Sequence, residues 1–130
     1  MSNSITLNDI QGKYEISYQS YPPIEDWYEP GFGSADIVGD TLIGKDALGV
    51  TWNAKLFFDD NGRLNFTATL DPTTSPDPQV GLLDRTGNIT RTPQNYSSDI
   101  KVTKFSGEII LRTRVIQGPI TIDVQFRKMT

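Results

Sequence analysis

The stretch that most constrains the fold of this chain runs over residues 50–71, VTWNAKLFFDDNGRLNFTATLD. Trp52, Ala54, Leu56 and Phe58 alternate with Thr51, Asn53, Lys55 and Phe57. After DDNG, Leu64, Phe66, Ala68 and Leu70 alternate with Arg63, Asn65, Thr67 and Thr69. A period of two on both sides of an Asn-Gly predicts a β-hairpin with one buried face. A two-residue loop at Asn61-Gly62 would set Phe58 against Asn65 and mix buried with exposed rows, whereas cross-strand partners share a face. A three-residue loop, Asp60-Asn61-Gly62, with Gly62 left-handed, pairs Phe58 with Leu64, Leu56 with Phe66 and Ala54 with Ala68. It also sets Asp59 beside Arg63.

Two further stretches extend the sheet. Residues 35–45 and 50–59 read as a hairpin around a four-residue loop, 46–49, with Ile43 facing Trp52, Thr41 facing Ala54 and Gly39 facing Leu56. On the other face, Asp40 then lies beside Lys55 and Val38 beside Phe57. Val38, Leu42 and Phe57 would form an outer apolar patch. Such a patch needs a cover: an aromatic loop, a second copy of the chain in a homo-oligomer, or a partner. Residues 99–128 read as a second meander, with turns at Ser106-Gly107 and at Gln117-Gly118. That register matches Val115 with Ile120, Leu111 with Val124 and Ile109 with Phe126, and pairs Arg112 with Asp123 and Glu108 with Arg127.

Between these stretches the pattern is weaker. Residues 21–32, YPPIEDWYEPGF, carry three prolines and two large aromatics, Trp27 and Tyr28, flanked by Tyr21 and Phe32. This is a loop, either packed over one end of the sheet or serving as a lid. Within 72–98, residues 80–83 and 89–92 read as short strands around a turn at Asp84-Arg-Thr-Gly87, and 93–98 as loop.

One hundred and thirty residues suffice for a single domain, 1–130, with its own core. With no cysteine and no histidine, the chain lacks thiolate chemistry, the commonest general base and the commonest zinc ligand. Its net charge of −4, without a basic run, argues against nucleic acid or an anionic membrane as partner. The polar start MSNSITLND is no secretion signal, and a cytoplasmic location is expected. Phosphate loops, dinucleotide fingerprints and nucleophile elbows are absent. DDNG carries the first acids of a calcium loop without its later ligands, so no metal and no cofactor is expected.

Residues 8–15, Asn-Asp-Ile-Gln-Gly-Lys-Tyr-Glu, open the first strand, in which Tyr14, Ile16 and Tyr18 alternate with polar residues. Ile10, Gly12 and Tyr14 occupy the places of the aliphatic, glycine and tryptophan that begin lipocalin-like (calycin) barrels, with tyrosine for the tryptophan. This eight-residue segment resembles that family. The resemblance implies an up-and-down barrel whose last strand returns to the first. It also implies an arginine packed across the first-strand aromatic, for which Arg127 is the candidate; a surface ion pair to Glu108 is its alternative role. The two-helix lid of the small fatty-acid-binding barrels has no counterpart.

The reading is therefore all-β: an antiparallel up-and-down barrel of eight to ten strands, with a β-sandwich as the alternative. The expected function is non-catalytic binding of a small apolar or aromatic ligand inside the barrel. Its site would comprise Tyr14, Tyr18, Trp27, Tyr28, Trp52, Leu56, Phe66 and Thr113. A structural or assembly subunit docking through Val38, Leu42 and Phe57 is one alternative, and a small-molecule barrel enzyme another. A hollow interior of ~300 Å³ or more would favour the ligand reading, and a filled one assembly.

Overall fold

The computed structural model describes residues 5–22 and 31–129. Its strands are β1 (Gly12–Tyr21), β2 (Gly31–Val38), β3 (Thr41–Asp46), β4 (Thr51–Phe58), β5 (Leu64–Asp71), β6 (Leu82–Leu83), β7 (Ile89–Thr90), β8 (Gln94–Phe105), β9 (Glu108–Gln117) and β10 (Ile120–Lys128). Eight of them close a barrel in the order β1-β10-β9-β8-β5-β4-β3-β2, every neighbouring pair antiparallel. The fold is an all-β, up-and-down barrel. Strands β6 and β7 form a separate two-stranded hairpin between β5 and β8.

The β4–β5 hairpin has the register that its alternation dictates. Phe58 pairs with Leu64, Leu56 with Phe66 and Ala54 with Ala68, around a turn in which Gly62 has a φ of 76°. The Asp59 carboxylate organises that turn: its Oδ1 accepts from the amides of Asn61 and Arg63, while the Gly62 amide donates to the Asp59 carbonyl. Two other turns repeat this wiring. Asp46 Oδ1 accepts from Leu48 and Val50, with Gly49 left-handed. Asp84 Oδ1 accepts from Thr86 and Asn88, with Gly87 left-handed. Each is an Asp-x-x-Gly loop of three residues, closed by an aspartate that satisfies amides the sheet cannot reach.

That shared turn corrects the β3–β4 register. A three-residue loop after Asp46, in place of a four-residue one, pairs Leu42 with Ala54 and Gly44 with Trp52. A one-residue slip exchanges the faces of a strand. Leu42 therefore points into the barrel at 3% exposure, and Ile43 points out at 59%. Stretch 35–45 is also two strands, broken at Gly39-Asp40, where Gly39 is left-handed. The outer patch of Val38, Leu42 and Phe57 thus does not exist. Val38 and Phe57 are exposed at 73% and 44%, but Thr41 and Lys55 lie in the rows between them, and Lys55 pairs with Asp40 at 3.3 Å.

The β9–β10 pairing is shifted by two residues from the sequence reading and keeps the same faces. Gln117 pairs with Ile120, Val115 with Ile122 and Leu111 with Phe126. Gly118-Pro119 forms the turn because proline has no amide to give a ladder. Arg114, not Arg112, then meets Asp123, at 2.7 Å. Arg127 is paired with Glu108 on the surface, not laid across Tyr14. Residues 94–98 are strand, where loop was expected, and pair with β5. Their inward row, Gln94, Tyr96 and Ser98, is too polar to show as alternation.

One end of the barrel is sealed. A 3₁₀ turn (Leu7–Ile10) crosses it, and Gln11 fixes it to the β2–β3 turn by accepting from the Gly39 amide and donating to the Gly39 carbonyl. Ile10, Tyr14, Ile16, Ile37 and Leu111 fill this end and are fully buried.

Candidate functional site

Among the described residues, the opposite half of the barrel is not filled. A cavity of about 90 Å³ lies there, with Tyr18, Trp52, Leu56, Phe66 and Thr113 in its wall. The sequence had placed these five on one interior, and the structure brings them together. Trp52 anchors the cluster: its ring lies 5.7 Å from that of Tyr18 and meets Phe126 edge-on at 6.2 Å. Tyr18 is accommodated because β2 offers glycine opposite it. A Cβ at Gly31 would fall 2.0 Å from the Tyr18 ring.

One expected member falls elsewhere. Tyr14 is in the floor below the cavity, where its hydroxyl donates to the Ile10 carbonyl at 2.7 Å. Burial pushes the Tyr14 hydroxyl up to about 12. Trp27 and Tyr28 lie outside the described residues. Tyr21 and Phe32, which flank that loop, are exposed on the barrel's outer rows and close nothing.

Several wall residues were not foreseen. Leu42 enters through the corrected register. Tyr96 enters with the upper half of β8, its hydroxyl donating to the Leu83 carbonyl at 2.8 Å, with burial and the nearby Asp84 charge raising its pKa. Val80 and Leu82 come from the segment before β7 and form a roof. The Asp-x-x-Gly spacing could have revealed the inward face of Leu42. The same spacing at Asp36-Ile-Val-Gly39 makes no such loop, because Asp36, Ile37 and Val38 are strand and only Gly39 turns, so β-branched residues in the middle must be read against the loop.

The void has a cause in the sequence. Ala54 and Ala68 face each other directly across β4 and β5 on the inner side, and both border the cavity. Two methyls stand where larger aliphatic side chains fill the sealed half. By the usual penalty per volume of residual cavity, 90 Å³ left empty costs ~2 kcal/mol.

The wall is chemically quiet. Asp46 is its one carboxylate among the described residues, and its acceptor positions are in use. Oδ1 serves its turn, while Oδ2 accepts from Trp52 Nε1 at 3.2 Å and from the Tyr18 hydroxyl at 3.4 Å. The Thr113 hydroxyl donates to the Asp99 carbonyl at 2.8 Å. Among the described residues no buried side-chain nitrogen or oxygen lacks a hydrogen-bond partner, and no cluster of acids could hold a metal ion. Comparisons with protein-family models, curated proteins and solved structures find no match to this chain.

Proposed function

We propose that this protein is a non-catalytic binder of a small apolar molecule held inside the barrel, between Trp52, Phe66 and the Ala54–Ala68 pair. The observation that carries the reading is the apolar void itself. Cores pack to crystal density, and a chain that leaves two facing alanines beside a 90 Å³ space forgoes stability that larger residues would supply. The up-and-down barrel and the calycin-like opening at Ile10, Gly12 and Tyr14 support an interior site. The acceptor positions of the wall's carboxylate are taken, so hydrophobic contact selects the ligand.

The space falls short of the ~300 Å³ expected of a hollow ligand-carrying barrel, so its volume restricts the ligand to a smaller molecule. Ligand clefts for larger molecules run to ~300–1,000 Å³, and an apolar cavity of ~150 Å³ admits benzene. Ninety ångströms cubed is too small for a fatty acid or a retinoid, and suits a short hydrocarbon or, with slight widening, one ring. Toluene, cyclohexane and isoprene are tested against lauric acid and retinol by thermal shift. Trp52 fluorescence is followed in a Trp27→Phe background. The small hydrocarbons should raise the midpoint, by the equivalent of ~2.7 kcal/mol at a hundred times the dissociation constant, and change the emission. No response to any of them sinks the reading.

A further inference from the structure

The cavity's two ends are closed differently, and the difference bears on how a ligand would enter. At the sealed end the closing residues are fully buried and pinned to the barrel. At the other, the roof among the described residues belongs to the segment 75–91, whose two strands form no ladder with the barrel. The wall beneath it is also incomplete. β8 and β9 pair only over Lys101–Phe105 and Glu108–Arg112. Beyond that the strands part, with β8 following β5 and β9 following β10. Two hydroxyls bridge the seam: Thr113 Oγ1 donates to the Asp99 carbonyl and Ser98 Oγ to the Arg114 carbonyl, at 2.9 Å.

The hairpin sits at the head of this seam. One atom takes a bond from each side: the Leu83 carbonyl accepts from Tyr96 of β8 and from Gln117 of β9, the latter at 3.1 Å. A second contact is turn on turn, close enough that a Cβ on Gly118 would lie 2.4 Å from the Thr86 carbonyl oxygen. The rest of the segment is tied to itself. The Arg91 guanidinium donates to the carbonyls of Ser75, Asp77 and Val80, holding 75–91 as a unit. At its base Thr74 and Ser75 are anchored on the β3–β4 turn, through the carbonyls of Gly49 and Leu48.

We propose that the β6–β7 hairpin is the movable cover of the cavity. It pivots from its anchor at Thr74 and Ser75, and the Leu83 carbonyl, shared by Tyr96 and Gln117, is its latch. Lifting it withdraws Val80, Leu82 and Leu83 from the interior and opens the seam without breaking a barrel ladder. The proposal rests on the cavity being a ligand site. It explains how a ring could enter a 90 Å³ space, because the roof is the wall that gives way.

Amide exchange is followed by NMR for Asp84 and Gly87, whose amides donate within the β6–β7 loop, and for β4–β5, in the full chain and in Tyr96→Phe and Gln117→Leu. Toluene association rates are measured on the same proteins, with denaturant midpoints as a control for general loosening. The cover predicts that hairpin amides exchange at least tenfold faster than β4–β5 amides. Each latch variant should speed both hairpin exchange and toluene association severalfold, leaving β4–β5 exchange unchanged. Hairpin amides that open only with the β4–β5 amides overturn the cover, as does toluene association indifferent to both variants. A mobile hairpin with no toluene binding overturns the ligand reading instead, and the entry route with it.

Discussion

Trp52 Nε1 donates to Asp46 Oδ2 across the β3–β4 turn, so the carboxylate that closes the turn also fixes the largest ring in the cavity wall. One residue thereby couples a local decision, where β3 reverses, to the shape of the interior. Asp59 does the same turn work on the surface, where its Oδ2 accepts from Asn65.

Asp46→Asn separates the two roles. The amide oxygen can still serve Leu48 and Val50, but the amide nitrogen then faces two donors, Trp52 Nε1 and the Tyr18 hydroxyl. A buried donor left without an acceptor costs ~1–3 kcal/mol. The variant should lose stability in that range and shift Trp52 emission in a Trp27→Phe background. Asp59→Asn should cost less and leave the emission alone, as denaturant titrations followed by fluorescence would show.

Gly62 and Gly49 occupy the same place in two copies of one turn, with φ values of 76° and 95°. A Cβ on Gly62 meets nothing within 4 Å, so Gly62→Ala should cost only the conformational penalty of ~1 kcal/mol. A Cβ on Gly49 comes within 3.0 Å of Pro76 and of Ser75, the latter an anchor of the roof. Gly49→Ala should cost more than Gly62→Ala by thermal denaturation. Equal costs would mean that the anchor yields freely.

These turns also mark how far the sequence could be read. The β4–β5 hairpin was legible because Trp52, Leu56, Phe66 and Leu64 keep one face apolar on both sides of a recognisable turn. The β2–β3 turn was hidden because Ile37, Val38, Leu42 and Ile43 are apolar on both faces, leaving alternation no contrast with which to choose a register. The upper half of β8 was hidden for the opposite reason. Ser98 points inward because its hydroxyl bridges the seam, a tertiary purpose that no local pattern announces. The inward rows were nonetheless sound enough to assemble five wall residues. The roof was missed because 80–83 reach the cavity from outside the barrel's ladders.

Tyr14 gives a pH dependence of definite sign. Burial raises its hydroxyl to about 12, above the unfolded value near 10. A pKa raised on folding means that the unfolded chain loses its proton first. The stability this residue contributes is whole below pH 10 and is lost as pH rises toward 12. Tyr14→Phe should reduce the alkaline limb of the stability profile, to which the buried Tyr96 also contributes, at the expense of the hydrogen bond to the Ile10 carbonyl, typically ~1 kcal/mol. Denaturant midpoints from pH 8 to 11.5 measure this. An unaltered limb in the variant would place the alkaline transition in another group.

The void itself is tested by filling it. Ala54 and Ala68 face one another over β4 and β5, and valine at either place adds two methyl groups to the cavity wall. Valine suits a strand, and removing part of a void that costs ~2 kcal/mol should raise stability by ~0.5–1 kcal/mol. The same substitution should abolish the toluene response, because the space is then occupied. Stability and binding would move in opposite directions, as expected when a protein holds a cavity open for a ligand. Overpacking would instead lower stability by ~1–3 kcal/mol, in which case the space beside these alanines is not free. A stabilised Ala68→Val that still responds to toluene would put the ligand somewhere other than this cavity.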